Sequence, residues 1–238
     1  MPTLLSRKDF LLLAATLAAI PHQILADDGI PSMLDHILLG VRDLDEGISF
    51  IEKKSGVRAI VGGSHPGAGT RNALISLGAE RYLEIIAPDP QQSSAPNALH
   101  TGLADLRAPG LIGWAIHTHD IAGVAANLRK AAIAFDGPLD GSRKRPDGQL
   151  LQWKTLRLKD DRGGTLPFFI EWGKSTTHPS VDAPRGCSLA SFSVGSPNPA
   201  ELRQLFHQVG VAVTVDSAAA PKLSARFEAA RGIFELAS

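Results

Sequence analysis

Two periods of apolar and polar residues alternate along this chain, and the switches between them recur. From residue 34, LDHILLGVRDLDEGISFIEKKSGV reads as an apolar strand, a helix cap at Asp43, an amphipathic helix and a Gly turn into a second strand. From residue 113, GWAIHTHDIAGVAANLRKAAIAF repeats that order with Asp120 as the cap. A third copy, SLASFSVGSPNPAELRQLFHQVGVAVTV, starts at Ser188, with Asn198 in the cap position and Pro199 just inside the helix, a favoured place for proline. The caps fall 77 and 78 residues apart. Three short strand-like runs follow each helix, separated by turn signals such as Gly62-Gly63, Pro146-Asp147-Gly148 and Arg231-Gly232. The pattern predicts an α+β chain of repeated βαβββ modules: residues 33–90, a linker at 91–110 rich in Pro, Ser, Gln and Gly, residues 111–174, and a shorter third module at 187–238.

The last strand of each module carries a glutamate: Glu84 in YLEII, Glu171 in FIEWG and Glu235 in FELAS. Burying an unpaired carboxylate in an apolar strand costs several kcal/mol. Three in corresponding places suggest a common geometric slot, although descent from one ancestral unit would preserve the residue without preserving its use.

Composition narrows the function. The 238 residues carry a formal net charge of zero, so no basic excess is available to neutralise phosphates, and no nucleic-acid partner is expected. A small-molecule ligand or substrate is the expected partner. Cys187 is the only cysteine, which leaves no intrachain disulfide and no thiolate metal cluster. The first residues have a basic start at Arg7 and Lys8, then an apolar run from Phe10 to Ile20 that is too short to span a bilayer. They read as a signal segment over residues 1–26, ending at Ala26. Ser6-Arg7-Lys8-Asp9-Phe10-Leu11 approaches the twin-arginine pattern with Lys8 in place of the second arginine. The expectation is an exported, periplasmic protein with no stable membrane insertion after processing; the alternative is an amphipathic N-terminal helix that stays attached.

LDHILLGVRDLDEGISFIEKKSGV, HPGAGTRNALISLG and YLEIIAPDP, with SRKRPDGQLLQW further on, resemble the vicinal oxygen chelate superfamily, in particular its glyoxalase-like domain proteins. The resemblance covers most of the chain after residue 33. It implies a glyoxalase/bleomycin-resistance-like fold, in which curved mixed sheets from paired modules form a cleft. It also implies one divalent metal, Zn, Ni, Mn or Fe(II), held by a His or Glu near the start of a module and a Glu on its last strand. By position His36, Glu84 and Glu171 match those ligands. Glu171 and Glu84 are then also the candidate catalytic carboxylates. The fourth ligand is absent, since counting back seven residues from the cap, as from Asp43 to His36, gives Gly113 and Ser191. The competing reading makes His36 a hydrogen-bonded core residue and pairs Glu84 and Glu171 with Arg81, Arg157 or a neighbouring strand.

Around that set, His65, Thr70 and Asn72 present polar groups at a cleft rim, and GGSHPGAGTRN reads as a turn between strands because the Lys-Ser/Thr of a phosphate loop is missing. Arg143, Lys144 and Arg145 precede a Pro-Asp-Gly turn, either as a solvated hairpin tip or as an anion gate; on the second reading Arg143 and Arg145 bind substrate together with His65, Asn72 and Trp153, the last a cleft wall. No GxSxG nucleophile elbow and no GxGxxG after a strand is present. Two functions remain. One is a lyase, isomerase or ring-cleaving enzyme, possible dioxygenase chemistry included, acting on a small oxygen-containing organic molecule with a metal polarising adjacent oxygens. The other is a metal-free binding protein that sequesters a ligand in the same cleft. The third module is left to cover that cleft or to form a homodimer contact.

Overall fold

The computed structural model describes residues 29–92 and 98–238. The proposed signal segment lies outside the described residues, as do residues 93–97 of the expected linker. Strand β1 (Leu34–Gly40) leads into helix α1 (Leu44–Ser55), then β2 (Ile60–His65), β3 (Thr70–Ser76) and β4 (Tyr82–Pro88). The Asp43 carboxylate accepts from the Asp45 and Glu46 amides and starts α1; Gly56, at φ 79°, ends it. A short helix, α2 (Ala98–Ala104), crosses to β5 (Gly110–His117), α3 (Ile121–Lys130), β6 (Phe135–Lys144), β7 (Leu150–Leu158) and β8 (Phe168–Trp172). β9 (Cys187–Ser196), α4 (Pro199–Val209), β10 (Thr214–Ser217), β11 (Lys222–Ala229) and β12 (Gly232–Ala237) complete the chain. Among the described residues no helix is long and apolar enough to cross a membrane.

The first eight strands form one sheet in the order β2-β3-β4-β1-β5-β8-β7-β6. Within each half the last strand returns beside the first and parallel to it, and the two halves join through the antiparallel β1–β5 pair. The sheet curls until its outer strands meet. Arg143 on β6 donates to the Gly62 carbonyl on β2, and a Cβ at Gly63 would stand 2.6 Å from the Lys144 carbonyl oxygen. Glycine is needed there for that close approach and for its φ of 132°. Helices α1 and α3 cover the convex face, burying Leu44, Ile48, Ile51, Ile121, Ala125 and Leu128 against Ile37, Leu39, Leu83, Ile85 and Phe169. The concave face carries Leu38, Ile86, Ala115, Phe168 and Ile170, and Leu103 of α2 packs onto it. Part of the expected linker is therefore an amphipathic plug.

The third unit keeps the predicted order of elements but changes the pairing. Its four strands run β10-β9-β11-β12, so β11 rather than the last strand lies beside β9, and β12 is an outer strand. Trp114 of β5, fully buried, meets Phe192 of β9 and Phe206 of α4 at ring separations of 5.0 and 6.1 Å. These contacts fuse the unit to the convex side of the large sheet. It backs the sheet and does not cover the concave face.

Candidate functional site

A β-bulge organises the concave face. Leu34 pairs with Ile116 and His36 with Ala115, so Asp35 is an extra residue on β1 with no partner on β5. Leu34 packs in the convex core with Ile37 and Leu39, whereas Asp35 and His36 both turn the other way. Asp35 is completely buried. Its Oδ1 lies 2.6 Å from His36 Nδ1, and its Oδ2 accepts from Trp172 Nε1 at 2.9 Å and lies 3.2 Å from His178 Nε2. Burial pushes this carboxyl up, but the bonds to His178 and His36 and their charge outweigh it and hold Asp35 far below the usual carboxylate range. An ionised carboxylate only accepts, so His36 carries its proton on Nδ1 and turns Nε2 toward the interior.

Nε2 of His36 faces Glu84 Oε2 at 3.4 Å. The other oxygen, Oε1, accepts from Asn72 Nδ2 at 2.8 Å and lies 3.8 Å from His65 Nε2. Burial again raises the carboxyl, and His36, His65, the Asn72 bond and Arg143 together bring Glu84 below its ordinary value. Tyr82 stacks on His36 with centroids 4.6 Å apart, and burial beside Asp35 and Glu84 drives its phenol well above the usual range. His65 is fixed by Thr70 Oγ1 at 2.9 Å, and burial lowers its pKa, which keeps the ring neutral at pH 7. Among the described residues, none gives the buried Asn72 Oδ1 a hydrogen bond. Trp153 meets the His65 ring edge-on at 6.2 Å and Trp172 at 5.6 Å, walling this end of the face.

The segment after β8 straps the site shut. His178 reaches Asp35, Ala183 packs on Leu74 and Tyr82, and the Pro184 carbonyl accepts from the Ser76 amide. Nothing in the strap's sequence had marked it as part of the site, and neither Asp35 nor His178 stood among the expected residues. Their only sequence signal is the pair of adjacent polar residues Asp35-His36 inside an apolar strand.

Of the expected residues, His36, His65, Asn72, Glu84, Arg143 and Trp153 do converge. Glu171 does not. Glu84 lies level with Leu38, five residues before the Asp43 cap, and the equivalent position five before Asp120 is Ala115, which lies level with Phe168. Phe168 therefore fills the slot that corresponds to Glu84. Glu171, three residues further on, points to the opposite face, where Oε2 accepts from the Ile121 amide at 2.8 Å and caps α3. Glu235 is exposed on β12 opposite Arg226. The three glutamates thus occupy three different environments. Arg81 and Arg157 pair with neither interior glutamate: Arg81 reaches the Pro31 and Ser32 carbonyls, and Arg157 lies over the Phe168 ring at 4.0 Å. Arg143, 4% exposed, points inward, while Arg145 is held by Asp182 and Asp147. Glu171→Ala removes a helix cap, and denaturant unfolding should record a loss of about 1 kcal/mol.

The donor set does not fit a divalent ion held by both modules. Ala115, Phe168 and Ile170 face inward from β5 and β8, none of them a ligand, and among the described residues no three His, Cys, Asp or Glu side chains are arranged to hold a metal. His36 and His65 both approach Glu84, at 3.4 and 3.8 Å. The Asn72 amide, however, stands 3.3 Å from His65 Nε2 and occupies Glu84 Oε1, filling the directions a shared ion would need.

A profile of the glyoxalase-like domain matches residues 34–210. A search of curated proteins finds no significant match. Among solved structures, a hypothetical protein from Staphylococcus aureus superposes with a TM-score of 0.62 at 18% identity, covering 79% of this chain and 87% of that one, and so shares the fold. A methylmalonyl-CoA epimerase from Mycobacterium tuberculosis gives a TM-score of 0.44 at 21% identity over 63% of this chain and 93% of that one.

Proposed function

The chain belongs to the glyoxalase-like domain family of the vicinal oxygen chelate superfamily, and from that premise we propose that the interior of its curled sheet performs proton transfer on a small carbonyl-containing molecule without a protein-held metal. The observation that carries this reading is one imidazole, His36, set between two buried carboxylates, Asp35 at 2.6 Å and Glu84 at 3.4 Å. Glu84, held ionised by its neighbours, takes a proton from the carbon beside the carbonyl, and the electron pair moves onto the oxygen as an enolate. His36, oriented by Asp35, moves a proton on or off Glu84 through Nε2. Returning the proton to the other face of the carbon gives an isomer; expelling a group from the next carbon gives a lyase product. The low pKa of His65 keeps a neutral imidazole beside Glu84, which leaves the carboxylate as the charged base.

The test is solvent exchange. The protein is incubated in deuterium oxide with chelator and a panel of small 2-hydroxy and 2-oxo carbonyl compounds, and deuterium entering the carbon beside the carbonyl is followed by NMR. Exchange that persists in chelator is expected for at least one compound. Saturable binding without exchange across the panel would overturn the catalytic reading and assign the interior to ligand sequestration. Exchange that chelator abolishes would overturn the metal-free part. We also propose that the mature chain works in the periplasm, supported by the basic start and short apolar run of residues 1–26.

A further inference from the structure

Where β2 and β6 meet, the edge of the sheet and the strap border a hollow of about 130 Å³. Its walls are apolar: Ile60, Val61, Leu74, Leu151, Pro179 and Ala183. Two of them, Ile60 at 48% and Val61 at 45%, are exposed, an unusual choice for an edge strand unless something covers them. The polar groups are two arginines and two aspartates, Asp147 and Asp182, and the arginines have unequal freedom. Arg145 is already neutralised by Asp182 and Asp147. Arg143 is buried, yet among the described residues it makes one hydrogen bond, from Nη1 to the Gly62 carbonyl, and no ion pair within 4 Å. A guanidinium carries five N–H donors; none of the Arg143 nitrogens is both buried and without a partner, so those not spent on Gly62 are open to an acceptor that enters the hollow. Gly62 enlarges the access, because a Cβ there would fall 2.4 Å from Asn72 Oδ1 and 3.3 Å from Arg143 Nη2.

We infer that this hollow binds the carboxylate end of an apolar organic acid, with the carboxylate on Arg143 and a short hydrocarbon or ring lying along Ile60, Val61 and Leu151. A carboxylate matches the guanidinium fork in shape and charge, which a neutral oxygen does not. The volume sets the size: a dry cavity of about 150 Å³ takes one benzene ring, so a ring or a chain of about five or six carbons fits, with any excess leaving past the exposed Ile60 and Val61. This inference rests on the interior being the reaction site and adds the class of molecule delivered to it.

Calorimetry with benzoate and hexanoate, against benzyl alcohol and hexanol, tests it on the full chain. Wild-type protein should bind the acids more tightly than the alcohols by roughly 10- to 100-fold, as expected for a hydrogen-bonded charge, and Arg143→Gln should erase that preference. Because Arg143 also bridges the two sheet edges, Val61→Asp provides a second variant at an exposed position; its carboxylate at the mouth should weaken the acids and spare the alcohols. Equal binding of acids and alcohols to the wild type, or acid binding unchanged in either folded variant, would overturn the inference. The two proposals fail separately. Acid preference without deuterium exchange would remove the proton-transfer reading and leave this site standing, whereas exchange with no acid preference would do the reverse.

Discussion

Glu84→Gln is expected to abolish deuterium exchange, by roughly 10² to 10⁴-fold, while leaving the fold intact. Glutamine has the shape of glutamate, and its amide oxygen still accepts from Asn72 Nδ2, the bond that holds Glu84 at 2.8 Å. What disappears is the carboxylate facing His36 Nε2, the charged base of the proposed reaction. A neighbouring residue does not replace it. Asp35 is fully buried behind His36 and committed to three donors, and Glu171 serves α3 on the other face. Exchange rates within threefold of wild type, measured under saturating compound, would exclude Glu84 as the base.

Asp35→Asn should cost about 3 kcal/mol at pH 7, as removing a buried charged acceptor from its hydrogen-bond donors does. The asparagine has a single oxygen: turned to accept from Trp172 and His178 it sets its NH2 against the His36 Nδ1–H, and flipped toward His36 it sets the NH2 against the Trp172 N–H. The sign of the pH dependence follows from the direction of the shift. Asp35 and Glu84 are both depressed, so the stability they contribute is fully present above the unfolded carboxylate value of about 4 and is lost as pH falls below it through the folded values. Denaturant unfolding of wild type and Asp35→Asn should therefore diverge most between pH 5 and 7, at about 3 kcal/mol, and converge as the pH drops toward 2. A gap that stayed constant down to that pH would mean that Asp35 contributes by shape and not by charge.

The βαβββ order was readable because helix and strand periods switch at Asp43 and Asp120, and both residues do cap their helices through side-chain bonds to the Asp45, Glu46 and Gly123 amides. Facing was harder to read. In Phe168–Trp172 both sides of β8 are covered, one by helices and one by the concave cluster, so FFIEW has no polar face to fix its phase. An offset of three residues then hid the difference between Glu171 and Glu84. The bulge at Asp35 was invisible for a related reason: strict alternation sends Asp35 and His36 to opposite faces, and only pairing with Ile116 and Ala115 reveals the extra residue. Strand partners in the third unit were equally out of reach, since element order does not say whether β11 or β12 lies beside β9. Helix α2 did leave a trace, Leu99 and Leu103 at helical spacing with Leu106 just beyond its end, overshadowed by the Pro, Ser and Gln around it.

Proton NMR of the imidazole N–H groups puts the arrangement to its sharpest trial, because it needs no ligand. A buried His36 Nδ1–H held 2.6 Å from a carboxylate should give a far-downfield, slowly exchanging resonance that vanishes in Asp35→Asn, moves in Glu84→Gln and stays in place in Glu171→Gln. A resonance that responded to Glu171→Gln and ignored Glu84→Gln would mean that the imidazole faces the other glutamate, and the interior described above would not exist.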